Sequence, residues 1–145
     1  MNVLRLAVLL ALAGCQRYAG QVTPENEAYR MLTSIERGAR NAFEMETAVA
    51  PEGPFVHRFC PSSTMPHAPG APWTDAAWTC LKLSSNEKHK FHYEYLSNGK
   101  DGAAAECTAT ATRRLDDGRM QVITLVLRGK ATGETERVSL TTVER

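Results

Sequence analysis

This chain lacks the features that assign an activity from composition alone. Charge of either sign is not in excess, with 17 lysines and arginines against 16 aspartates and glutamates. Arg5 falls in a leader described below, so the rest of the chain is formally neutral. That gives no electrostatic reason to propose nucleic acid or an anionic lipid surface as a partner. After residue 14 no stretch approaches the length of a membrane-crossing helix, about 18 consecutive apolar residues. Short catalytic fingerprints are missing as well: no Gly-x-Ser-x-Gly elbow, no phosphate loop and no dinucleotide-binding glycine pattern. Proline is nearly absent outside one region, since every proline but Pro24 falls between Pro51 and Pro72.

The chain opens on its most informative segment. Residues 1–15 read MNVLRLAVLLALAGC, with Arg5 near the start and an apolar run from Leu6 to Ala13 too short to span a bilayer. The closing Leu12-Ala13-Gly14-Cys15 resembles a bacterial lipobox. That resemblance implies cleavage between Gly14 and Cys15, a diacyl group on the Cys15 sulfur and an acylated new amino terminus. Ala13 and Gly14 are small enough for a peptidase site, and the Cys15 thiol carries the lipid. The other reading is an ordinary cleaved signal with a chance cysteine. Two or three acyl chains on one residue satisfy the two-signal requirement for stable anchoring, at about 0.8 kcal/mol per buried methylene. Gln16 stands where the inner-membrane retention signal of Gram-negative lipoproteins usually has aspartate, so the analogy points to the outer membrane. Whether the protein faces the periplasm or the cell surface stays open. Residues 15–23 then form an acylated tether, and 24–145 suit one small domain.

Beyond Cys15, three cysteines remain: Cys60, Cys80 and Cys107. In an oxidising compartment an odd number leaves one unpaired. Cys60 and Cys80 share a region poor in regular structure, and their pairing is expected to stabilise it by about 3 kcal/mol. Cys107 lies in the alternating run Cys107-Thr108-Ala109-Thr110-Ala111-Thr112, on the alanine face, and reads as a buried free thiol.

Thr23-Pro24-Glu25 announces a helix. Apolar residues at Ala28, Leu32, Ile35, Ala39 and Ala42, flanked by Tyr29 and Phe43, predict one amphipathic helix to about Thr47. Gly38 inside it costs about 1 kcal/mol relative to alanine. Residues 48–90 form a long Pro-rich connection, of the kind that is functional or covalently organised. Trp73 and Trp78 lie in it near Cys80, and packing beside the disulfide is preferred over a ligand platform, although both remain candidate interaction residues.

From Phe91 the period switches to two. Phe91, Tyr93 and Tyr95 share a face, turn residues follow from Ser97 to Gly102, and strands are predicted over Glu106–Arg113, Met120–Arg128 and Arg137–Val143. Val122, Thr124 and Val126 alternate with Ile123, Leu125 and Leu127, which predicts a strand covered on both faces, or nearly so. Short connections argue for an antiparallel meander. The fold class is therefore α+β: one long N-terminal helix packed on a four-stranded meander, with a disulfide-pinned loop between helix and sheet.

The helix, the Cys-Pro loop with its tryptophans, and the segment FHYEYLSNGKDGAAAECTATATRRLDDGRMQVITLVLRGK together resemble type IV pilin-like proteins of the myxobacterial kind, over about residues 24–145. The features shared are a Tyr-x-Tyr strand, a strand alternating small residues with threonine, an Asp-Gly turn and a Thr-x-x-Leu-x-Gly-type strand. Pilins, however, are processed after a glycine that precedes a long apolar helix with glutamate at its fifth position. Here the apolar run precedes Gly14, and Gln16-Arg17-Tyr18 follows the cysteine. The Leu115-Asp116-Asp117-Gly118 turn also holds too few carboxylates for a calcium loop. The resemblance thus implies a pilin-like head on a lipid anchor, one that does not polymerise as a pilus shaft.

No residue set stands out as catalytic, and none as a metal site. His57 with Cys60, and His89 with His92, have spacings that could begin a zinc site, but exported cysteines pair and His92 points away from Phe91. Cys107 has no base or oxyanion donor in its strand. Arg113-Arg114 reads as a solvated strand end, Asp116 and Asp117 as a hairpin turn, and Lys82 to Lys90 as a polar rim. Two functional classes remain. One is a non-catalytic structural or interaction lipoprotein, with no cofactor beyond the lipid on Cys15; its partners would be envelope proteins, and the resemblance points to pilus or secretion machinery. The other is an exported ligand-binding or enzymatic lipoprotein with a pocket under the 48–90 loop. A pocket with convergent polar groups separates them.

Overall fold

The computed structural model describes residues 23–45, 56–84 and 89–145. The leader over 1–14, Cys15 and the tether to residue 22 lie outside the described residues, as do 46–55 and 85–88.

Helix α1 runs Pro24–Glu44. Its start is capped as expected, the Thr23 hydroxyl accepting the Asn26 N–H at 3.3 Å. Ala28, Leu32, Ile35, Ala39, Ala42 and Phe43 are all buried. The helix ends before the predicted Thr47. Met45 is its C-cap and is 76% exposed, whereas Phe43 two residues earlier is fully buried. Gly38 has a packing reason: a Cβ there would collide with the Leu81 carbonyl oxygen. The lost helix propensity admits a close approach between α1 and the chain after residue 80.

The sheet is an antiparallel meander of β1 (His92–Ser97), β2 (Glu106–Arg114), β3 (Met120–Gly129) and β4 (Thr135–Glu144), in that spatial order. The α+β class and the helix-plus-meander arrangement are as the sequence predicts. Pairing places Tyr93, Ala111 and Ile123 in one inner row and Tyr95, Ala109 and Leu125 in the next. Small side chains in β2 leave room beside the two tyrosines, and Cys107 is a buried free thiol on the same face. β3, expected to be covered on both faces or nearly so, is buried on one face and half-buried on the other. Ile123, Leu125 and Leu127 are buried, but Val122, Thr124 and Val126 are only half-buried. Their cover comes from threonines of the flanking strands, such as Thr110 and Thr141, rather than from a second layer. β4 begins at Thr135 rather than Arg137, because α1 side chains bind its first residue.

One helix is about 10 Å thick, and strands lie about 4.8 Å apart, so α1 cannot cover four strands. It packs over β2, β3 and β4. The inner face of β1 falls to the segment 56–84, which carries a short helix α2 (Ala76–Cys80) that the sequence reading missed. Asp75 caps it by accepting the Ala77 N–H at 2.9 Å. Trp78, Phe59 and Leu81 join Tyr93 and Tyr95 in the single core cluster. The same segment pairs along the outer edge of β1. Ser63 N–H donates to the Tyr95 carbonyl at 2.8 Å, and His67 and Tyr93 exchange backbone bonds at 2.6 and 3.0 Å. The Pro-rich loop is therefore both half of the covering layer and the guard of one sheet edge.

The helix is tied to β4 by Glu36, a buried carboxylate within the apolar stripe. It accepts from Arg40 at 2.8 Å and from Arg137. Burial pushes the Glu36 carboxyl up, but hydrogen bonds from Arg137 and Arg40, with their charges, outweigh it and hold the group below its usual 4.5. A depressed folded pKa gives stability that is complete above pH 4.5 and lost as pH falls through the folded value. Glu36→Gln is expected to cost on the order of 2 kcal/mol at neutral pH. Urea unfolding checks this: the gap between variant and wild type should close as the pH falls below 4.5.

Candidate functional site

The candidate site is the 56–84 segment, where the sequence places a disulfide, both tryptophans and two of the histidines. The expected disulfide is present: Cys60 and Cys80 are bonded, with Cα atoms 5.8 Å apart. Neither sulfur is therefore a free thiolate for zinc. Among the described residues no group of three His, Cys, Asp or Glu side chains is placed to hold a metal ion.

Trp78 is 1% exposed and meets Trp73 edge to face, with ring centroids 5.2 Å apart. Trp73 is half-buried and stacks on His67 at 3.4 Å and 7°. His89 and Tyr93 complete this aromatic cluster, each within 6.0 Å of Trp73. The geometry is that of a satellite core under the loop, as packing beside the disulfide requires. His67 is fixed within it. Its Nε2 donates to the Ala71 carbonyl at 2.8 Å, so Nδ1 is the unprotonated nitrogen. Burial holds the His67 imidazole below its ordinary pKa, the Ala71 bond opposing and the nearby His89 adding to the shift. Nδ1 is buried and has no hydrogen-bond partner among the described residues.

Several hollows open beside the described part of the loop: one of about 270 Å³ lies between α1 and residues 80–83, lined by Ser34, Arg37, Asn41 and Lys82 among others, and two more flank the loop. One, of about 380 Å³, is lined by Thr64, Pro66, His67, Asp75 and Trp78. Its carboxylate is already engaged: Asp75 accepts the Thr64 hydroxyl at 2.5 Å, the Thr64 N–H at 2.9 Å and the Ala77 N–H. Those bonds, the Thr64 hydroxyl first, hold it below the usual carboxylate range. The other hollow, of about 520 Å³, is mostly apolar and lies beside the disulfide. Arg58 at its rim is paired with Asp101 at 2.6 Å.

The remaining candidates lie apart from this cluster. His57 stacks on Phe43 and its Nδ1 contacts the Phe43 carbonyl at 2.7 Å, closing the C-terminal end of α1. His92 is exposed on the outer sheet face. Burial pushes the Cys107 thiol up to about 12, which makes it a poor nucleophile. Asp117 sits in the expected turn, bonded to the Arg119 N–H at 3.0 Å. Arg113 corrects the reading of a solvated strand end: it is half-buried, with its guanidinium 5.1 Å from the Phe91 ring and bonded to Gln121 at 2.7 Å. The missed α2 carried a signal, since Thr74-Asp75 before Ala76-Ala77 is an N-cap pattern. Gly14 and Cys15 lie outside the described residues.

Comparisons with protein-family models, curated proteins and solved structures find no match to the chain.

Since the loop is closed by a bond spanning 20 residues, removing it should cost about 3 kcal/mol. Reduction, or the double variant Cys60→Ser/Cys80→Ser, is expected to expose 56–84 to proteolysis while the β2–β4 amides keep their protection from exchange. Thiol counting on denatured, unreduced protein gives the direct check on the pairing, with Cys60 and Cys80 unreactive.

Proposed function

We propose that the protein is an exported lipoprotein, anchored to the outer membrane through acyl chains on Cys15, that presents a non-catalytic, pilin-like head for structural or interaction work in the cell envelope. The observation that carries this reading is the opening segment, in which a short apolar run ends at Leu12-Ala13-Gly14-Cys15. The domain that follows is consistent with a pilin-like head: one amphipathic helix, a four-stranded antiparallel meander and a disulfide-bonded loop. The loop supports an interaction role over a chemical one. Its tryptophans pack against the core, and the carboxylate and guanidinium at its hollows are bonded to neighbours. The partners are envelope proteins, with type IV pilus or secretion machinery as the class the resemblance implies. No cofactor beyond the lipid enters this reading.

One observation favours a second reading, an exported ligand-binding lipoprotein: the buried, unpartnered His67 Nδ1 belongs to a residue lining the 380 Å³ hollow. A ligand there would need a hydrogen-bond donor and a flat apolar body.

Intact mass and membrane fractionation of the wild type beside Cys15→Ser test the anchor. The wild type should carry a lipid-sized mass increment and sediment with membranes, and the variant should lose both. A soluble, unmodified wild type would remove the anchor from the account.

A further inference from the structure

The two edges of the sheet are finished differently. The β1 edge is occupied by Ser63 and His67 of the loop. The β4 edge is closed only at its start, where Thr135 N–H donates to Glu44 at 2.8 Å and the Thr135 carbonyl accepts from Arg40 at 3.0 Å. Beyond that point no backbone group among the described residues pairs with that edge, although the Tyr29 and Thr142 hydroxyls are bonded at 2.8 Å and Arg137 holds Glu36. Arg145 and Met120 exchange both backbone bonds, at 3.0 and 2.6 Å. Because an antiparallel ladder alternates, the N–H and C=O groups of Leu140, Thr142 and Glu144 must face outward. The same strand holds three exposed apolar side chains, Val138, Leu140 and Val143, at 45, 37 and 54% exposure. An open edge of this composition is a template for another strand.

We infer that the strand it takes is β4 of a second copy of this chain, paired antiparallel about a twofold axis at Thr141. A twofold axis perpendicular to a continuous sheet keeps every side chain on its own face, so only residues of the same face can meet. The register shift between Val126 and Leu127 leaves Val138 as an extra residue in β4. As a result Arg137 and Glu144 share the inner face, opposite Leu127 and Gln121, while Glu136 and Arg145 share the outer. About Thr141, Leu140 meets the partner's Thr142, and these are the residues whose backbone groups are open. Ser139 meets the partner's Val143, Arg137 the partner's Glu144, and Glu136 the partner's Arg145. Both charged pairs are of opposite sign, and symmetry makes each twice. Arg137 also holds Glu36 and Glu144 also accepts from Arg119, so those two join networks already present, whereas Glu136–Arg145 is a new pair. Moving the axis by one residue sets Glu144 against the partner's Thr135 or the partner's Leu140 and loses both ion pairs. The bulge and the four charges thus select one self-complementary register.

The test uses the full chain in its native membrane. The Thr141 pair falls at a non-hydrogen-bonded position, where Cβ atoms are about 4.5–5.5 Å apart and a disulfide forms with little movement. Thr141→Cys should give a covalent dimer on non-reducing gels at several times the yield of Thr132→Cys, an exposed control in the preceding hairpin. Adding Glu136→Arg should suppress it, and adding Glu136→Arg with Arg145→Glu should restore it. Sedimentation of the detergent-extracted wild type, free of any cysteine change, should give twice the monomer mass. Yields no higher than the control, a cross-link indifferent to Glu136→Arg, a charge swap that fails to restore it, or a monomeric wild type would each overturn the proposal.

Discussion

The constraint on which the rest of this structure depends is width. Strands about 4.8 Å apart make a four-stranded sheet nearly twice as broad as one helix, and the inner faces of β1, β2 and β3 are largely apolar. A single α1 leaves the β1 side, with Tyr93 and Tyr95, without cover. The chain solves this with an irregular segment rather than a second long helix. Irregular backbone contributes few internal hydrogen bonds and costs more entropy to order than a helix, so it needs other ties. These are the Cys60–Cys80 bond, the capped turn of α2, the buried Trp78 and the backbone bonds to β1. Much of what looked functional in the loop follows from that requirement.

The same constraint sets the division between what the sequence disclosed and what it hid. The α1 stripe, the aromatic face of β1 and the alanine face of β2 were legible because each is a periodic pattern of one element. The Cys60–Cys80 pair was legible because only three cysteines follow Cys15. What escaped was long-range. The pairing of Ser63 and His67 onto β1 is made by backbone groups, which carry no side-chain signature. Nothing in the sequence marks Glu36 as buried, because its partner Arg137 is distant in the chain. Arg113 misled for a similar reason, since its aliphatic stem and guanidinium cover Phe91 across a turn of chain. The apparent two-sided burial of β3 reflects β-propensity: valine and threonine suit a strand whose outer face is shielded only by neighbours.

The sheet has two faces of unequal finish. On the inner side the charges are paired and the rings packed. The outer side and the β4 edge carry half-buried valines and threonines and unpaired backbone groups. Among the described residues the exposed apolar surface includes strand, at Leu96, Val138, Leu140 and Val143. The buried His67 Nδ1 and the hydroxyls of Tyr93 and Tyr95 are the side-chain polar atoms that the packing of the described residues leaves unanswered.

The central claim is that the 56–84 segment is half of the core layer and not a lid over the sheet. Native-state hydrogen exchange tests it most directly. The Tyr93 and Tyr95 amides donate to the His67 carbonyl at 3.0 Å and the Ser63 hydroxyl at 3.1 Å, so they exchange only when the segment leaves β1. With the disulfide intact, these amides should exchange as slowly as that of Leu125 in β3, through global unfolding. Fast exchange at Tyr93 and Tyr95 while Leu125 stays protected would show a detachable lid and contradict the account.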